Sequence, residues 1–176
     1  VSRLLDEIAV EAQLRGATVV RAAARRDAPD FELARTLAKA IAAERPGPSA
    51  EPWQSTDPVQ TQRALRQFLA EAGRARRLCL VVDDGQWADE LSATVLATLM
   101  YTPDEHAILL ALGIKSDVAP RADRALETLR KLGRTIELHA LSADEVTLLL
   151  SLIFGDVPNV VRLAAVVHQL GSGNPS

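Results

Sequence analysis

Cysteine is nearly absent from this 176-residue chain: Cys79 stands alone. A disulfide within the chain is therefore impossible, and a metal cluster built on cysteine thiolates is excluded. Cys79 lies inside an apolar run, so it is expected to act as a small buried hydrophobe, as suits a cytoplasmic protein. Lysine is scarce too, with Lys39, Lys115 and Lys131 as the only examples. The formal net charge is −3. Broad nucleic-acid binding needs a basic surface, so no direct nucleic-acid binding by this chain is expected. No run approaches the roughly 18 apolar residues of a membrane span, and no charged-then-apolar leader suggests secretion. His106, His139 and His168 stand far apart without metal-ligand spacing and read as surface or packing residues. Internal repeats and low-complexity tracts are missing. So are a Gly-x-Ser-x-Gly elbow and a convincing triad, which argues against an independent α/β hydrolase or transferase.

What remains is material for a folded core, 48% hydrophobic and 24% charged, in one domain or one domain with a small appendage. The most informative stretch is Leu78-Cys79-Leu80-Val81-Val82-Asp83-Asp84, followed by Gly85-Gln86-Trp87-Ala88-Asp89. A short, fully apolar run bounded by charge predicts a strand buried on both faces, as in a parallel sheet. Function in such sheets gathers at the carboxyl ends of the strands. Two carboxylates there suit a metal-bound phosphate and a water to be activated beside it.

Elements alternate along the chain. Helical spacing of Leu4, Leu5, Ile8, Ala9 and Ala12 predicts a helix over 2–15 ending at Gly16, then a strand over 17–23. A helix over 31–44 is stopped by Arg45-Pro46, and the Pro-rich stretch 46–58 is a loop with Trp53 as a packing anchor. A helix over 59–73 leads through Arg74, Arg76 and Arg77, a solvated strand entrance, into the apolar-Asp-Asp strand. Asp89 caps a helix over 90–101, with Leu91, Thr94, Val95, Thr98 and Leu99 facing inward. Strands are expected at 107–113 and 135–138 with a helix over 121–132 between them. Ser142 and Glu145 form a capping box for the first of two closing helices, 143–154 and 158–170. The fold class is α/β, a parallel sheet flanked by helices. The chain starts at Val1, stops at the turn Gly173-Asn174-Pro175-Ser176, and reads as a piece of something longer.

The ordered blocks resemble a known family over the whole length. Val82-Asp83-Asp84 with Trp87-Ala88-Asp89 is similar to the Walker B region of P-loop ATPases of the signal-transduction class (STAND, within the AAA+ group). Val1-Ser2-Arg3-Leu4-Leu5 resembles the helix that directly follows a Walker A loop, Leu110 to Asp117 the sensor 1 strand, Leu141 to Val146 the start of the helical lid, and Gly173-Asn174-Pro175 its Gly-Asn-Pro turn. The resemblance implies a P-loop NTPase-like core over 1–140, with the first strand and Walker A absent, and the start of a helical lid over 141–176. Such modules occur in LuxR-type and related bacterial regulators and behind Ser/Thr protein kinase domains.

The resemblance also implies ATP and Mg²⁺ as cofactors and assigns roles by position. Asp83 would hold Mg²⁺ through water, and Ser2 would add a hydroxyl ligand. Asp84 would orient or deprotonate the attacking water; its bland alternative is a turn cap. Lys115 would meet the charge of the γ-phosphate. Pro175 and Asn174 would lie against the nucleotide. Partners would be ATP and other domains of the parent protein, with a homo-oligomer and an arginine finger from a neighbour compatible with it; Arg121, Arg124 and Arg130 are candidates by location only. Three departures weigh against chemistry. The glycine loop is missing, Val1 stands where the phosphate-binding lysine is expected, and Lys115 replaces an arginine and its bidentate fork. Loss of a central first strand would leave two strands without a partner and the chain poorly stable or rearranged. Two readings follow: a Mg-ATP switch controlling an output outside this chain, or a degenerate interaction module that binds no nucleotide.

Overall fold

The structure, a computed structural model, describes residues 1–44, 51, 53–155 and 158–171. In chain order the elements are α1 (Ser2–Leu14), β1 (Thr18–Ala23), α2 (Glu32–Ala43), α3 (Pro58–Ala75), β2 (Leu78–Asp83), α4 (Glu90–Met100), β3 (Ile108–Leu112), α5 (Asp123–Leu132), α6 (Ala143–Phe154) and α7 (Val160–Gly171). Short 3₁₀ turns occupy Gly85–Trp87 and Pro103–Glu105. The chain divides into two compact units, Val1–Thr135 and Ile136–Ser176.

The first unit is an α/β layer structure around a parallel three-stranded sheet of order β1-β2-β3. Its register sets Ala23 beside Asp83 and Val82 beside Leu112, so the three carboxyl ends share one edge. The apolar run predicted as a doubly buried strand is one. Leu78, Leu80 and Val82 enter the main core with residues of α2, α3, α4 and α5. Cys79 and Val81 enter a smaller core with Leu5, Ala9 and Ala12 of α1. Each fully buried leucine contributes about 2 kcal/mol relative to exposure. Burial also pushes the Cys79 thiol above its ordinary pKa, the behaviour of an inert core residue.

Local signals explain the element ends. α1 closes in a Schellman arrangement: Ala17 N–H donates to Ala12 O, Gly16 N–H to Gln13 O, and Gly16 takes a φ of 77°. Asp57 caps α3 through Val59 N–H, with Pro58 in the first turn. Trp53 is fully buried and meets the Phe68 ring edge-on at 4.6 Å, the anchoring role expected for it. The arginines before β2 are spent on the surface: Arg74 pairs with Glu105, Arg76 with Glu44, and Arg77 donates to Arg15 O. α4 is buried more widely than its predicted stripe. Ser92, Ala93, Leu96 and Ala97 are covered along with Val95 and Leu99, while Leu91, Thr94 and Thr98 are half-buried.

The strand expected at 135–138 does not form; Thr135–Leu138 enters no ladder and Ile136 and Leu138 are exposed. Alternation of apolar and polar residues makes a strand only where a neighbouring edge accepts its N–H and C=O groups. No such pairing is made among the described residues.

The second unit contains the α6–α7 pair. Its capping box is complete: Glu145 N–H donates to Ser142 Oγ at 3.2 Å and Ser142 N–H to Glu145 Oε2 at 2.8 Å. The backbone hydrogen bond from Ser142 is the main reason the Glu145 carboxyl lies below its usual range. Val146, Val160 and Ala164 are its buried apolar side chains among the described residues.

Candidate functional site

Asp83 is the last residue of β2, half-buried, and strand alternation sets it on the α1 face with Cys79 and Val81. Asp84 follows in the left-handed region (φ 53°, ψ 36°), a conformation that aspartate tolerates better than most residues. This sharp turn presents both carboxylates at the carboxyl edge of the sheet. Ser2, at the first position of α1, donates its hydroxyl to Asp83 Oδ2 at 2.6 Å across 81 residues of sequence. Asp83 Oδ1 accepts the backbone N–H of Asp84 at 2.8 Å, which fixes the carboxylate plane. Lys115, beyond β3, places Nζ 2.9 Å from Asp84 Oδ1. Four of the residues singled out in the sequence are thus brought together by three separate segments of chain.

The electrostatics follow from these contacts. Hydrogen bonding from Lys115, then from Gln86, holds the Asp84 carboxyl below its ordinary range. The hydrogen bond to Asp84 and its charge raise Lys115, with smaller contributions from Asp83 and Asp117. Asp84 is the N-cap residue of the 3₁₀ turn Gly85–Trp87; its side chain makes no cap hydrogen bond to the backbone there and accepts Gln86 Nε2–H at 2.9 Å.

Other expected positions divide differently. Val1 is the N-cap residue of α1, and its side chain lies against Gly113. A Cβ at Gly113, just after β3, would stand 2.6 Å from Val1 Cγ1 and 3.2 Å from Asp83 Oδ1, so a side chain there would displace Val1 and crowd Asp83. Arg121 donates to the backbone carbonyl of Ala28 at 2.8 Å, while Arg124 and Arg130 are exposed on α5. Asn174 and Pro175 lie outside the described residues. His106 is buried with Nε2 3.0 Å from Leu99 O, a packing residue.

Two residues of the site escaped the sequence reading of roles. Gln86 is fully buried and joins Asp84 to the backbone of Lys115. Asp89, expected only to cap α4, also accepts Phe31 N–H at 2.8 Å and Leu33 N–H at 3.4 Å, fastening α2 beside the turn. The Asp89 cap spacing was visible; the reach to α2 had no local signal. A cavity of about 230 Å³ beside Asp89 and Trp87 includes neither Asp83 nor Asp84.

Ser2 Oγ and Asp83 Oδ2 form a pair of hard oxygen donors at the start of a helix, where N–H groups lack intrahelical partners. No group of three or more His, Cys, Asp or Glu side chains able to hold a metal occurs among the described residues. A cation taken by this pair would complete its shell with water and phosphate oxygens, the habit of Mg²⁺. The donor set fits that ion.

The AAA ATPase domain family matches this sequence over residues 2–111, more than half of the chain. The match includes Ser2, Asp83 and Asp84 and ends before Lys115. No curated protein matches the sequence.

Proposed function

The chain belongs to the AAA ATPase domain family, a nucleotide-binding family that usually works with Mg²⁺, and from that membership we propose that it is an ATP-binding switch domain. In this reading it serves a bacterial signalling or transcription-regulatory ATPase of the STAND class, in the cytoplasm, as in LuxR-type or kinase-linked proteins. The observation that carries the proposal is the convergence of Ser2 Oγ on Asp83 Oδ2 beside the Asp84–Lys115 pair.

Each side chain has work suited to its placement. Ser2 and Asp83 would hold Mg²⁺, which when bound would supply positive charge against the phosphate oxygens. Asp84 orients the attacking water and accepts its proton, once its carboxylate is released from Lys115. Lys115 turns its ammonium to the terminal phosphate, where negative charge develops. Slow hydrolysis fits a switch whose lifetime sets the signal, and an output domain elsewhere in the parent protein reads the change. Further copies of the chain are its candidate partners.

Calorimetric titration of Mg-ATP tests it. Binding in the micromolar range, weakened about tenfold or more by Asp83→Asn, is the expected result. No binding by a chain shown to be folded would favour the degenerate interaction module, a reading supported by Val1 in place of a phosphate-binding lysine.

A further inference from the structure

Gln86 is fully buried, yet its amide is committed at both ends. Nε2–H donates to Asp84 Oδ1 at 2.9 Å, and Oε1 accepts the backbone N–H of Lys115 at 3.1 Å. Its own carbonyl accepts Arg121 N–H at 2.9 Å. The side chain of Lys115 returns to the same Asp84 oxygen, so Asp84, Gln86 and Lys115 close a ring. The orientation of the amide is forced. Reversed, its oxygen would face a carboxylate and its NH₂ would face another N–H donor. A buried amide costs stability unless both ends are satisfied, and a methionine of similar size would fill the same space without that cost. The polar group therefore has a use in tying the turn after β2 to the segment after β3.

We propose that Gln86 is a positioning residue that couples Asp84 to Lys115, so that engagement of a terminal phosphate by Lys115 is transmitted to the Asp84 carboxylate. The inference rests on the ATP reading for its consequence, though not for its geometry. Lys115 Nζ can turn from Asp84 to a phosphate by side-chain rotation while its backbone N–H stays anchored on Gln86 Oε1. Gln86 Nε2 then remains as the hydrogen-bond donor that keeps Asp84 aimed after the ammonium departs.

The test compares affinities for Mg-ATP and Mg-ADP in the parent chain, Gln86→Met, Lys115→Met and the double variant. Coupling between sites is commonly worth 5- to 150-fold, and Gln86→Met is expected to reduce the ATP-over-ADP preference about tenfold while ADP affinity changes little. In the Lys115→Met background the same substitution should cause no further loss of preference. Equal weakening of ATP and ADP, or additive losses in the double variant, would overturn the proposal in favour of a purely structural amide. If the parent chain binds neither nucleotide, the ATP reading fails by itself, and amide hydrogen exchange in the nucleotide-free protein decides the geometry. Lys115 N–H should exchange about tenfold faster in Gln86→Met, with the amides of β2 unchanged; unchanged exchange at Lys115 would sink the inference. Should Gln86→Met fail to fold, Gln86→Glu keeps an acceptor for Lys115 N–H and replaces the amide donor to Asp84 with a second carboxyl group. It should leave the Lys115 amide protected, and loss of that protection would count against the ring.

Discussion

Lys115 and Asp84 meet at the water boundary, with their side chains 58% and 36% exposed. At such exposure an ion pair adds little to stability, and its value lies in holding two groups in register. Its pH signature is nevertheless distinct. The Asp84 carboxyl is depressed, so its contribution is full above the ordinary carboxylate pKa of about 4 and is lost as pH falls through the depressed value. Lys115 is raised, so its contribution is full below about pH 10 and is lost as pH rises through the raised value. Between those limits both are charged and the pair is constant. Urea midpoints of the parent chain and Lys115→Met should therefore differ by the same small amount from about pH 5 to 9 and converge as pH drops below about 4. A gap that survived at low pH would show that Lys115 acts by packing its methylenes, not by its charge.

The helices around the turn are joined by caps that cross the sequence. Phe31, the N-cap residue of α2, has no side-chain oxygen, and its φ of 64° marks an unusual entry into the helix. The missing acceptors come from the first turn of α4. Asp89 takes Phe31 N–H and Leu33 N–H, and Ser92 Oγ takes Ala34 N–H at 2.9 Å. Asp89 also caps its own helix through Ser92 N–H at 2.8 Å. One buried carboxylate thus serves two helix starts, each of which ordinarily gains about 1 kcal/mol from its cap. Asp89→Ala should cost about 2–4 kcal/mol in the fluorescence-monitored urea transition of the Val1–Thr135 unit, because orphaned buried N–H groups add their desolvation penalty. Asp57→Ala, which uncaps α3 alone, should cost about 1 kcal/mol. Equal costs would mean that the contacts to α2 carry no weight. This pair of helices also marks the limit of what was legible. The doubly buried β2, the Gly16 stop, the capping box at Ser142 and the carboxylates at Asp83 and Asp84 were readable because each is written in adjacent residues. So were Ser2 and Lys115, through resemblance to a family's ordered blocks. Gln86 and the second service of Asp89 were not, since their partners lie 29 and 58 residues away and polar side chains carry no periodicity that announces burial. Thr135–Leu138 misled for the opposite reason: its local pattern was sound, but a strand needs an edge to pair with.

For the whole molecule, the two compact units differ sharply in what they bury. Among the described residues, Val1–Thr135 carries both core clusters and all of the buried leucines, and it holds both tryptophans, Trp53 in the main core and Trp87 packed against it. The α6–α7 pair has two twelve-residue helices but leaves Leu148, Leu152, Ile153, Phe154, Val166 and Leu170 exposed. Helices of that length are marginal in water when tertiary packing is sparse. Sub-global opening tracks buried apolar contact, so the amides of α6 and α7 should exchange well before those of β2. The two units should also melt separately, which removes the two-state assumption for this chain. Tryptophan fluorescence reports only the first unit, whereas far-ultraviolet circular dichroism sums helix from both. In a urea titration the dichroism should therefore begin to fall at lower denaturant than the fluorescence, with the early loss close to the share of helix held by α6 and α7. Leu152→Ala, at an exposed position, should leave both curves in place, while Val146→Ala, which empties a buried one, should shift only the early phase. Superimposable curves from the two probes would mean that the helical pair unfolds with the sheet as one cooperative body, and that its stability is drawn from contacts beyond its own buried Val146, Val160 and Ala164.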